Sequence, residues 1–78
     1  MPTVLRTNGF RFFFYMNEHL PIHVHVSKGG AKARVTLVPD INIDSSNGFK
    51  ANEIKQYLRI IIDNYNQIIN SWNDTFHQ

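Results

Sequence analysis

The chain has 78 residues, 42% apolar and 18% charged, with a formal charge of +2 and no cysteine. That length supports one domain with one core, and the absence of thiols excludes disulfides, thiolate metal sites and a cysteine nucleophile. No apolar run reaches the ~20 residues of a membrane-spanning helix, and Met1–Arg6 lacks the basic-then-apolar pattern of a signal peptide, so a cytoplasmic location is expected.

Residues 1–39 read as a sheet half. Thr3–Thr7 and Phe10–Met16 are rich in strand formers and flank Asn8-Gly9, a dipeptide suited to two-residue turns that need positive φ at both positions. Ile22–Lys28 and Ala31–Val38 flank Gly29-Gly30, a second signal of the same kind. The link Asn17–Pro21 suits a further reversal, and Pro39, lacking a backbone donor, ends the fourth strand. Residues 40–48 form a polar loop in which Ile41 and Ile43 could add a short edge strand.

Residues 49–78 read as the helical half. Ile54, Leu58, Ile61, Tyr65, Ile68, Trp72 and Phe76 recur at helical spacing as one apolar stripe. A straight helix from about Ala51 to Phe76 measures ~39 Å, against ~17–20 Å for a strand, so one end must overhang the sheet or bend. Trp72 and Phe76 would then need cover, and a homodimer through the helix end is one source of it. The expected fold is α+β and a single domain over residues 1–78. An antiparallel sheet of about four strands, two hairpins in a meander, packs on one long C-terminal helix.

Two-residue turns fix the pairings. Thr7 faces Phe10, Arg6 faces Arg11, Leu5 faces Phe12, Val4 faces Phe13 and Thr3 faces Phe14. In the second hairpin Val26 faces Ala33, His25 faces Arg34 and His23 faces Thr36. Alternation sends Leu5, Phe10, Phe12, Phe14, Ile22, Val24, Val26, Ala33, Val35 and Leu37 to the helix side. The opposite side receives Val4, Arg6, Arg11, Phe13, Tyr15, His23, His25, Ser27, Lys32, Arg34 and Thr36. The middle reversal brings Phe13 near His25 and Tyr15 near His23.

That second set interleaves cations with aromatic rings, as a surface that neutralises phosphates and stacks bases would. The charge balance agrees: residues 1–39 hold five Lys/Arg against Glu18, whereas residues 40–78 hold three against five acids. The same surface could meet an acidic protein with an aromatic anchor, or be a solvated face with half-covered rings.

His19, His23 and His25 form H-x3-H-x-H, and histidines two apart on a strand project to one side. A metal there would lie among Arg34 and Arg11, with no acid on residues 22–38 and only Glu18 nearby. Neither metal nor cofactor is therefore expected. As an acid–base pair beside cations, His23 and His25 could serve phosphodiester cleavage. They could equally pack on Tyr15 and Phe13 without chemistry.

Met1–Arg6, Gly9–Tyr15, Asn17-Glu18-His19, Pro21 and His23-Val-His-Val26 together resemble a family of small bacterial domains of unknown function. Lys28-Gly29, Gly48-Phe49 and Trp72-Asn73 extend the likeness along nearly the whole chain. Such proteins are often encoded beside a second small protein, and the pair is interpreted as a toxin–antitoxin module with this family as the toxin. The resemblance implies a small antitoxin-like protein partner and RNA or DNA as a target, and it supplies no catalytic residues. Lys50 stands where relatives carry a serine helix cap, which removes one half of a capping box. Ile22 stands where they carry a second proline.

The expected function is a partner-regulated module of toxin–antitoxin type. Its open sheet face binds an anionic ligand, either nucleic acid or an acidic partner, through Arg6, Arg11, Lys32 and Arg34, with Phe13 and Tyr15 stacking or anchoring. The alternatives are a metal-free ribonuclease using His23 and His25, or an interaction domain without chemistry.

Overall fold

Turn chemistry decides the architecture. In the computed structural model, which describes residues 3–76, Asn8 and Gly9 take φ of 53° and 82°, and Gly29 takes 60°. Both two-residue reversals therefore form, the first with positive φ at both positions and the second with positive φ at Gly29 but not at Gly30. They join β1 (Thr3–Thr7) to β2 (Phe10–Phe13) and β3 (His23–Lys28) to β4 (Ala31–Thr36). A fifth strand, β5 (Asn42–Asn47), pairs with β4, and the sheet is an antiparallel meander in the order β1-β2-β3-β4-β5. The sheet thus has five strands rather than about four. The Ile41/Ile43 segment supplies a six-residue edge strand, NIDSSN, instead of an appendage to a loop.

The β3–β4 register matches the expectation at every pair from His23↔Thr36 to Lys28↔Ala31. In β1–β2 the outer end departs from it. Thr3 lies opposite Phe13 and Leu5 opposite Phe12, so Val4 is an extra residue in a bulge. The expected pairs Val4–Phe13 and Thr3–Phe14 do not form, and Val4 packs partly buried against the core instead of facing outward. A second irregularity lies in β5, where Arg34 pairs with Ser45 and Val35 with Ile43, leaving Asp44 as the extra residue. Bulges of this kind add local twist and re-aim a side chain.

The helical half is two segments, α1 (Ala51–Asp63) and α2 (Tyr65–Phe76), rather than one helix. The molecule's longest extent is 34 Å, less than the ~39 Å of a straight helix over these residues. Asn64 makes the break, with φ −118° and ψ 22°. Its backbone N–H and its side-chain amide both donate to the Ile60 carbonyl, at 3.1 and 2.8 Å, and its own carbonyl accepts from Ile68 at 3.0 Å. One residue thus satisfies the end of α1 and starts α2. At the other end of α1 the Glu53 carboxylate accepts from the Lys50 N–H at 2.9 Å, the half of a capping box that survives when a lysine side chain, which cannot accept, stands at the cap.

The helices cover the expected apolar side. Phe10, Phe12, Phe14, Val24, Val26, Ala33, Val35 and Leu37 are buried against Tyr57, Ile60, Ile61, Ile68 and Trp72. Two phenols tie helix to sheet: Tyr57 donates to Ser46 Oγ at 3.0 Å, and Tyr65 donates to the Leu37 carbonyl at 2.8 Å. Trp72 is fully buried within the single chain, packed on Phe14 (ring centroids 5.2 Å), His23 (5.1 Å) and Phe76 (4.5 Å). The bend at Asn64 thus removes the overhang, and Trp72 needs no cover from a second copy.

Candidate functional site

Strand pairing arranges the outer face, opposite the helices, in rows. Arg6 pairs with Arg11, Arg11 with Ser27, Ser27 with Lys32 and Lys32 with Asn47, giving one row across all five strands. The next row runs Thr3, Phe13, His25, Arg34, Ser45, and the third holds His23, Thr36 and Asn42. The first row lies toward the two-residue turns; the third lies toward the longer connections.

The first row is basic and contains no acid. Arg6 and Lys32 are exposed, and among the described residues neither forms an ion pair. Arg6 sits directly opposite Arg11, a like-charge pairing that weakens a sheet unless the charges splay into water. Arg11 does turn aside. Its guanidinium lies 4.4 Å from the centroid of the Phe13 ring, and its Nε donates to Thr3 Oγ1 at 3.1 Å. A concavity of about 310 Å³ beside the β1–β2 turn is bordered by Arg6, Thr7, Asn8, Gly9, Phe10 and Arg11.

Arg34 is less available. Its Nε donates to Asp44 Oδ2 at 3.1 Å, and Thr36 Oγ1 and Asn42 Nδ2 also donate to that carboxylate, at 2.6 and 3.1 Å. The Thr36 hydroxyl, with Arg34 and Asn42, holds the Asp44 carboxyl below its ordinary range. The bulge in β5 brings Asp44 to this face, and pattern reading gave no sign of it.

The far end of the face is closed. Phe13 is only 3% exposed, so it cannot stack on a base or anchor a partner. Arg11 lies over its ring, His25 stacks on it (5.6 Å, 28°) and Tyr15 meets it edge-on at 5.3 Å. Tyr15 keeps 39% exposure and packs on His25 at 4.5 Å, in place of the expected His23. The cover comes from the connection 14–22, which carries both Tyr15 and Glu18 back over the sheet.

His23 and His25 come together with Glu18, whereas His19 is exposed and lies outside the group. Glu18 Oε2 lies 2.6 Å from His23 Nε2 and 2.9 Å from His25 Nε2. His23 Nδ1 lies 2.8 Å from the Pro21 carbonyl oxygen and must donate to it, because a carbonyl only accepts. Burial pushes the His25 imidazole below its ordinary pKa, with Glu18 working against that and His23 and Arg34 adding to it. The carboxylate missing from β3 is thus provided by the loop. The spacing Glu18-x4-His23-x-His25 held the signal, but nothing periodic fixes the direction of a loop side chain.

No curated protein and no solved structure matches the chain. A family model described as a domain of unknown function, DUF4160, matches residues 9–73, which include Gly9 of the first turn, the Gly29-Gly30 turn, the Glu18–His23–His25 group, Lys32, Arg34 and the bend at Asn64. The chain belongs to the DUF4160 family.

Proposed function

We propose that the domain is a partner-regulated binding module of toxin–antitoxin type whose basic row contacts the phosphate backbone of a nucleic acid. One observation carries this reading: Arg6, Arg11 and Lys32 stand in a single cross-strand row with no acid in it. At about 4.8 Å per strand that row places cations over roughly 14 Å. A polyanion laid across the row relieves the Arg6–Arg11 repulsion and exchanges condensed counterions for protein cations. Tyr15 is the one aromatic residue of the expected pair left exposed, so charge dominates over base stacking.

The ribonuclease reading has less support. His23 is 1% exposed, with Nδ1 committed to Pro21 and Nε2 against Glu18, so the pair does not present two accessible nitrogens to a strand.

The test is a salt titration of binding to single-stranded RNA and to duplex DNA. Removing Arg6 or Lys32 as alanine should lower the log–log slope by about 0.7 per lost contact on a single strand and about 0.9 on a duplex. A slope unchanged in the Arg6→Ala/Lys32→Ala double variant sinks the reading. So does binding only to an acidic protein partner.

A further inference from the structure

We propose that Glu18, His23 and His25 form a binding site for a divalent transition metal, with Zn²⁺ the ion that the donors suit best. Nitrogen from two imidazoles and oxygen from one carboxylate is a borderline donor set. It suits zinc or a neighbouring transition metal and is poor for the all-oxygen preferences of calcium and magnesium.

Strand geometry makes the first half of the site. His23 and His25 are two apart on β3 and project to the same face, with ring centroids 5.1 Å apart. The connection 14–22 brings the third donor, and one ligand atom from each residue lies within 4.8 Å of the others. Tetrahedral bonds of about 2.0–2.1 Å place ligand atoms roughly 3.3 Å apart. Glu18 Oε2 now lies 2.6 and 2.9 Å from the two nitrogens, and the set spans up to 4.8 Å. Seating an ion therefore draws the carboxylate back by roughly half an ångström and brings the widest pair together. The carboxylate that must move sits on a loop.

The second observation is independent of the clustering. His23 is 1% exposed, and its Nε2 is a buried nitrogen without a hydrogen-bond partner, because the short approach of Glu18 lacks hydrogen-bond geometry. Since Nδ1 donates to the Pro21 carbonyl, Nε2 is the ring atom left for a ligand, and it lies 2.6 Å from a carboxylate oxygen. A cation shared by the two atoms satisfies both, and a metal ion can take the place that a proton fills in the metal-free chain. A backbone carbonyl on the far nitrogen is also the usual device that orients a metal-bound histidine and raises its basicity.

The neighbouring guanidiniums are engaged elsewhere. Arg34, opposite His25, pairs with Asp44, and Arg11 lies over Phe13. Three protein donors leave a fourth position for water or a small ligand, reached past the side chains of His25 and Glu18, which are 15% and 10% exposed. His25 Nε2 now donates to Glu18, so binding through that atom requires the other tautomer, with the ring proton on Nδ1.

The experiment is calorimetric titration of chelator-stripped full-length protein with ZnCl₂, beside the variants Glu18→Gln, His25→Ala and His19→Ala. The expected result is saturation at one Zn²⁺ per chain and an affinity loss of about 100-fold or more in Glu18→Gln and His25→Ala, exceeding the cost of an outer-sphere partner. His19→Ala should bind as the parent does. Cobalt(II) gives a readout on the unmodified chain: visible d–d absorption that one equivalent of Zn²⁺ abolishes. No saturable binding, no cobalt spectrum, or parental affinity in Glu18→Gln and His25→Ala would each overturn the proposal.

Discussion

The two ends of the outer face share the same strands and the same side-chain parity, yet they meet opposite fates. Near the two-residue turns, Arg6 and Lys32 project into water. Near the connection 14–22, Phe13 and His23 are as buried as core residues. The difference lies in what joins the strands. A turn of Asn8-Gly9 or Gly29-Gly30 is too short to fold back over the sheet, whereas the longer connection lays Tyr15 and Glu18 across it. Alternation therefore assigns a side chain to a face, and connection length decides whether that face stays wet.

The largest expected effect comes from treating the closed end as a core. Phe13→Ala should lose about 3–5 kcal/mol in urea unfolding, the usual cost of truncating a buried aromatic. A loss below about 1 kcal/mol would mean that its cover is loose and that the two ends differ little.

The middle of the face should respond to acid. Because the Asp44 carboxyl is depressed in the folded chain, its contribution is present above the ordinary aspartate pKa and disappears as pH falls through the lower folded value. Asp44→Asn should flatten that part of the stability–pH curve, with an effect at neutral pH of at most about 1 kcal/mol for so exposed a pair. An unchanged acid limb would show that the bulged residue does not anchor Arg34.

The smallest effect belongs to the open end. Arg6→Ala should leave stability unchanged or raise it by up to about 0.5 kcal/mol through relief of the repulsion from Arg11. A loss above 1 kcal/mol would give Arg6 a structural task and weaken its assignment to ligand binding.

Much of this was legible in the residues. Asn8-Gly9 and Gly29-Gly30 dictated the turns, and the turns carried the pairing of His25 with Arg34 and of Arg6 with Arg11. The rest depended on features without a period. NIDSSN has no apolar alternation, and β5 is held by backbone pairing to β4 with Ile43 and Ser46 turned inward. The stripe from Ile54 to Phe76 runs through Asn64 without interruption, so only the capping of Ile60 by the Asn64 amide reveals the break. Glu18 was visible as a nearby acid, but its meeting with both histidines depends on the path of a loop. The burial of Phe13 was hidden for the same reason.

Each border strand carries an irregularity, at Val4 in β1 and at Asp44 in β5. An incoming extended segment would find an interrupted ladder on either flank, which discourages sheet-to-sheet polymerisation and peptide capture by strand addition. The rims are thereby poor docking edges, which leaves the broad surface between them for the ligand proposed above.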